Sequence, residues 1–292
     1  MHFRHSDVAS HLPKLPSSRT SRVPSGVGRG TIRGGYRQLE GGVTNGRSEI
    51  RMEGESIVTV AIWPLAVSAA RLAALRGVLS VDEQARVDRM RLEAAAQEFI
   101  VGRGTTRELL AAELGCAPGE LAFGTGKHGK PHLVPPSRDL AFNLSHSGGF
   151  CALALGRFSR IGVDIEALRP TVGDLAKSVF TPREAALYES IPQPDRMRAF
   201  FRAWVAKEAY LKATGDGLAG GLKSLEVELT ELSEIRPLAI CGDAAEPRLW
   251  QFQGFNVSDT IVGAVAIETG AREVGIAFRH INPDCRPLQP AR

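Results

Sequence analysis

Residues 161–166, Ile161-Gly162-Val163-Asp164-Ile165-Glu166, read as a β-strand with two unlike faces. Strand side chains alternate, so Ile161, Val163 and Ile165 point one way and Gly162, Asp164 and Glu166 the other. The apolar set predicts burial in a core. The opposite set presents two carboxylates, with Gly162 leaving space beside them. Acids two apart on one face repel unless a cation or basic group compensates. Oxygen-only ligation of that kind suits Mg²⁺ together with substrate phosphate and water. Taken alone, an exposed polar strand face is the commoner origin of such a pattern, so the stretch needs support from the rest of the chain.

Support comes about forty residues on, in Trp204-Val205-Ala206-Lys207-Glu208-Ala209-Tyr210-Leu211-Lys212. Trp204, Glu208 and Lys212 recur at i, i+4 and i+8 and so line one helical face. Glu208 and Lys212 also suit a simple helical ion pair, worth only about 0.2–0.5 kcal/mol. The aromatics Phe200 and Phe201 just before them predict a packed face instead. Upstream, Phe142-Asn143-Leu144-Ser145-His146 contains a Ser-His pair, but neighbours on a strand face opposite ways and no G-x-S-x-G elbow is present. His146 is read either as a buried or capping residue or as a phosphate contact. Gly126-Lys127-His128-Gly129-Lys130-Pro131 is a basic turn whose glycines let backbone approach an anion; it lacks the Walker pattern. Arg103 and Arg107 sit four apart on a helix and fit surface or ligand roles equally.

Working outward, strands are predicted at 57–62, 141–146, 150–155, 161–166, 225–229, 248–255, 261–267 and 274–278. Helices are predicted at 68–75, 81–92, 94–114 and 197–213, the last two stopped by Gly115 and Gly215. The strands at 150–155 and 161–166 are read as a hairpin around 156–160, and 171–194 as a polar, partly helical excursion. Helices followed by strands in each half give an α+β class.

The chain has 292 residues, a formal charge of +4 and a pI near 9.0. Nine Lys/Arg and five Asp/Glu lie in residues 1–55, leaving 27 of each in 56–292. The basic excess therefore belongs to a glycine- and arginine-rich N-terminal segment without helical or strand period, read as a disordered tail or a start placed upstream of Met52. A neutral body without a nucleic-acid module makes nucleic acid an unexpected partner. No run of eighteen apolar residues predicts a membrane helix. Four scattered cysteines with no C-x-x-C pair fit a reducing, cytoplasmic setting.

In this order, the motifs resemble the 4′-phosphopantetheinyl transferase superfamily, of the two-lobed surfactin-synthetase-activating (Sfp) type. The resemblance runs from about Val58 to Phe278 and rests on Gly162–Glu166 and Trp204–Lys212, with Phe142–His146 and Gly129-Lys130-Pro131 upstream. It implies two similar lobes in a pseudo-twofold, pseudo-dimeric arrangement with the active site between them. The lobes are expected at 56–160 and 161–281, with a frayed tail at 282–292 and a monomeric protein. It implies Mg²⁺ on Asp164, Glu166 and Glu208, with Glu208 and Lys212 catalytic. It implies coenzyme A contacts from Arg103, Lys130, Ser145, His146, Lys207 and Lys212, and a 3′-phosphate site near Arg86, Arg89 and Arg91. The implied reaction moves phosphopantetheine from coenzyme A to a serine of an apo acyl or peptidyl carrier protein. The W-x-x-K-E-A form resembles members serving peptide or polyketide synthases. Carrier docking is expected near Lys177, Phe180, Arg183 and Lys223. A non-catalytic carrier-docking module of the same fold is the alternative, followed by a nucleic-acid-binding protein acting through the basic tail.

Overall fold

In the computed structural model, the structure describes residues 57–126, 128–134, 140–170, 175–217, 221–229 and 235–284. The N-terminal segment 1–55, Lys127 and residues 285–292 lie outside them. The first strand, β1 (Ile57–Pro64), starts the body where the β-branched run predicts it. Three helices follow: α1 (Ala69–Gly77), α2 (Val81–Asp88) and α3 (Glu93–Leu114). Ser68 and Ser80 cap the first two, and Ser80 with Glu83 forms a reciprocal capping box. The predicted helix over 81–92 ends at Asp88; α3 then ends on Gly115 in the left-handed conformation.

The strands β2 (Phe123–Thr125) and β3 (Pro131–Leu133) form a small ribbon in the turn-rich region. After it come β4 (Ala141–Ser147), β5 (Phe150–Gly156) and β6 (Ile161–Ala167). The expected hairpin between β5 and β6 does not form. β5 pairs with β4 and β1, whereas β6 pairs with a later strand in another sheet. The hairpin is β4–β5, turned by Gly148 and Gly149, both at positive φ. Two glycines supply the backbone twist that a two-residue hairpin loop requires. Residues 157–160 instead carry the chain across to the second sheet.

Two short helices, α4 (Leu175–Val179) and α5 (Pro182–Ser190), precede the long α6 (Gln193–Thr214). Pro194 lies inside the first turn of α6, where its missing N–H costs no helical bond, so the helix begins before the expected Met197. The rest is β7 (Leu225–Val227), β8 (Pro237–Ile240), β9 (Trp250–Ser258), β10 (Ile261–Glu268) and β11 (Gly275–His280).

One sheet has the order β11-β1-β5-β4 and another β6-β10-β9; β2-β3 and β7-β8 form two-stranded ribbons. Alternation divides the core into three apolar layers. Val58, Val60, Ile62, Ala152 and Ala154 meet Ile161, Val163, Ile165, Val265 and Ile267 between the two large sheets. The other face of the first sheet, with Trp63 and Leu153, packs on α1–α3. The other face of the second, with Val262, Ala264 and Ala266, packs on α6. The architecture is therefore α+β, as expected from the sequence. Residues 282–284 of the expected frayed tail are tied down: the Ile281 N–H donates to Ile62 O at 2.8 Å and Asp284 accepts from Ser68 N and Oγ at 3.0 and 2.8 Å.

The contact between the two large sheets is polar along one line. Val163, Ile165 and Ala167 donate their N–H groups to the side chains of Asn143, Ser145 and Ser147, at 2.8, 3.3 and 3.1 Å. Side chains at every second residue of β4 thus satisfy the outer edge of β6, which would otherwise leave buried donors unpaired. Asn143→Ala is expected to lower unfolding stability by about 1–3 kcal/mol, because the Val163 N–H loses its acceptor inside the protein. Chemical denaturation checks this, and an unchanged midpoint would contradict it.

Candidate active site

The strand β6 carries the site because one of its residues has no side chain. A Cβ at Gly162 would sit 2.5 Å from the Ala213 nitrogen and closer still to the Ala209 carbonyl oxygen. The backbone of α6 therefore lies directly on β6, and Glu208 and Lys212 reach the strand's acidic face. Lys212 Nζ donates to Asp164 Oδ1 at 2.6 Å and to Ser145 Oγ at 3.0 Å. The helical pair suspected from the i, i+4 spacing thus becomes a bridge between elements.

Ser145 donates to Asp164 Oδ1 at 2.8 Å and accepts from the Ile165 N–H as well as from Lys212. That uses its one proton and both lone pairs. At 1% exposure it lies behind Asp164 and Lys212. His146, on the opposite side of β4, is exposed; its partial desolvation, and then the charge of Lys212, lower its pKa. Ser147 was not anticipated from the sequence. It donates to Glu166 Oε2 at 2.7 Å, while Arg169 Nη2 donates to Glu166 Oε1 at 3.1 Å. The Asn143-x-Ser145-x-Ser147 alternation is the signal that reveals it.

Three carboxylates now share one region. Burial, and then the neighbouring Asp164, push Glu208 up to about 7 and raise Glu166 as well. Asp164 Oδ2 is buried without a hydrogen-bond partner. Such an orphaned acceptor is costly, and together with two strained carboxylates it is what an oxygen-ligated cation would relieve. Among the described residues, no three His, Cys, Asp or Glu side chains already close on a point that could hold a metal ion. The fit thus rests on donor chemistry and on the unpartnered oxygen.

The remaining candidates are more dispersed. Lys130 donates to Ile161 O at 3.1 Å and Ala213 O at 2.8 Å, capping the end of α6 from the β2–β3 turn. Burial, then Arg160, lower its pKa to about 8 from 10.5. The unfolded chain therefore holds this proton more tightly, and folding stability rises as pH climbs from about 8 to 10.5. Denaturation of Lys130→Met across that range should lack this rise. Arg103 Nε sits 3.4 Å from Glu83 and its guanidinium lies 4.8 Å from the Phe123 ring centre. Arg107 shares both neighbours, and Arg86 lies over Phe99 at 4.5 Å. Lys207, expected near the cofactor, is instead wholly buried. It is paired with Glu184 at 2.9 Å and bonded to two carbonyls, because α6 turns it toward α5 and β7. Phe180 is likewise a core residue, packed on Tyr188 and Phe200, and cannot line a docking surface.

Comparison with known proteins bears on this arrangement. The family model described as the 4′-phosphopantetheinyl transferase superfamily matches residues 160–266. A second, described as 4′-phosphopantetheinyl transferase, N-terminal, matches residues 66–157. The 4′-phosphopantetheinyl transferase HetI of Nostoc sp. is 37% identical over 219 residues, spanning 66% of this chain and 92% of its own. A putative 4′-phosphopantetheinyl transferase of Synechocystis sp. is 36% identical over 191 residues, 64% of this chain and 77% of its own. The 4′-phosphopantetheinyl transferase Sfp of Bacillus subtilis is 26% identical over 157 residues, 54% of this chain and 69% of its own.

Proposed function

The chain belongs to the 4′-phosphopantetheinyl transferase superfamily, and from that premise we propose that it moves 4′-phosphopantetheine from coenzyme A to a serine of an apo carrier protein. The observation that carries the reading is the convergence of Asp164, Glu166, Glu208 and Lys212 across β6 and α6. In the balanced reaction the carrier serine oxygen bonds to the phosphorus bearing pantetheine. The pyrophosphate P–O bond breaks, and adenosine 3′,5′-bisphosphate leaves with the electron pair.

Each side chain has a task in that exchange. Glu208, with its pKa raised by burial and by Asp164, accepts the serine proton at its carboxylate, directly or through a water. Lys212 places its ammonium beside the non-bridging oxygens, held there by Asp164 and Ser145. His146 adds a hydrogen-bond donor at the opening. Asp164, Glu166 and Glu208 would hold Mg²⁺, which when bound neutralises charge on the pyrophosphate. An adenosine 3′-phosphate would be received near Arg86, Arg89 and Arg91, where Arg86 lies over Phe99 and Arg103 over the nearby Phe123.

We read residues 56–160 and 161–281 as the two lobes, related by a pseudo-twofold with the reaction between them, except that β11 crosses back to complete the sheet of the first lobe beside β1. We infer that the protein acts as a monomer in the cytoplasm, a reducing setting that suits its four scattered cysteines. Acidic carriers would be received by the exposed Lys177, Arg183 and Lys223 near α5, beside the partly exposed Leu187. Given coenzyme A, Mg²⁺ and a panel of apo carriers, the protein should release adenosine 3′,5′-bisphosphate only when a carrier is present. Carrier binding without release would give the non-catalytic docking module instead.

A further inference from the structure

We propose that Lys207 and Glu184 form a buried positioning pair that sets the rotation of α6 and thereby aims Glu208 into the site. The inference rests on the transferase reading. Lys207 and Glu184 are both 0% exposed. The Lys207 ammonium donates to the Glu184 carboxylate at 2.9 Å, to Leu222 O at 3.0 Å and to Leu225 O. An ammonium has three protons, so none remains for a substrate phosphate. Glu184 also accepts from the Thr181 N–H at 2.8 Å, which caps α5, and from the Val227 N–H at 2.8 Å. One ion pair therefore gathers α5, the turn at 222–224, β7 and α6.

The need for such a pair lies in the composition of α6. Its buried apolar side chains are Phe200, Phe201, Val205, Tyr210 and Leu211 together with five alanines, and at Gly162 of β6 it is the helix backbone at Ala209 and Ala213 that makes the contact. Apolar burial has no direction of its own, so these contacts hold α6 in place without the fixed bond directions that a polar pair adds. A buried pair whose every hydrogen bond has a fixed partner specifies the helix's rotation strongly. Glu208 follows Lys207 by one residue, about 100° around the helix. Any turn of α6 that broke the Lys207 contacts would swing Glu208 away from Asp164 and Glu166.

The test compares wild type, Lys207→Met and the double variant Glu184→Leu/Lys207→Met. Removing Lys207 alone strands the Glu184 charge in the core, so that variant should be unstable. The double variant removes both charges at similar volume but leaves the Val227 and Thr181 N–H groups and two carbonyls without these partners, so it should melt below wild type and above Lys207→Met. Three readouts are needed: melting temperature, kcat and KM for carrier modification, and coenzyme A affinity by calorimetry without carrier. We expect the double variant to keep wild-type coenzyme A affinity while kcat falls roughly 100-fold, the scale of a small misplacement of reacting groups. Loss of coenzyme A affinity in the folded double variant would make Lys207 a ligand and overturn the proposal. Wild-type kcat, or failure of the double variant to fold, would make the pair merely structural and overturn it too. If wild type modifies no carrier, the transferase reading itself falls, and the proposal with it.

Discussion

A Glu208→Gln protein is expected to modify its carrier at roughly a hundredth to a ten-thousandth of the wild-type rate, the range spanned by general acid–base catalysis. The amide keeps the volume of the carboxylate but cannot take the serine proton, and it removes one of three charges in the acidic cluster. The fold should not suffer. Glu208 is buried beside Asp164, with Glu166 adding to the repulsion that raises its pKa, so a neutral side chain relieves repulsion in the folded state. Low activity with an unchanged or higher melting temperature is the expected signature. Full transfer by the folded variant would remove Glu208 from the chemistry.

Gly162→Ala is expected to act through the fold. The added methyl would press into the α6 backbone at Ala209 and Ala213, and helical backbone cannot yield as the end of a flexible side chain can. Overpacking of this sort costs about 1–3 kcal/mol and at times more. The helix must lift from β6, carrying Glu208 and Lys212 away from Asp164, so transfer and stability should fall together. Denaturant midpoint and transfer rate report the two effects. An alanine variant with both at wild-type level would show that the close β6–α6 approach is not what assembles the site.

Much of this was legible in the sequence, because period and backbone chemistry act locally. The alternation in 161–166 separates the buried Ile161, Val163 and Ile165 from the acidic face, and the i, i+4 spacing puts Glu208 and Lys212 on the face that meets it. Partnership between distant segments was less legible. The β5–β6 hairpin was expected from closeness in sequence, yet Gly148 and Gly149 turn β4 onto β5 and leave β6 to pair with β10. Lys207 illustrates the same limit. In sequence it is one more cation beside an acidic motif; only the tertiary position of Glu184, 23 residues earlier, shows that its charge is already matched. Ser145 likewise finds its partners, Asp164, Lys212 and the Ile165 N–H, in distant segments.

The most direct measurement is the intact mass of an apo carrier protein incubated with the wild-type chain, coenzyme A and Mg²⁺, beside the same carrier with its acceptor serine changed to alanine. The serine carrier should gain the mass of one phosphopantetheine group and the alanine carrier none. A panel of apo carriers that all keep their starting mass, with the folded protein present, would contradict the account.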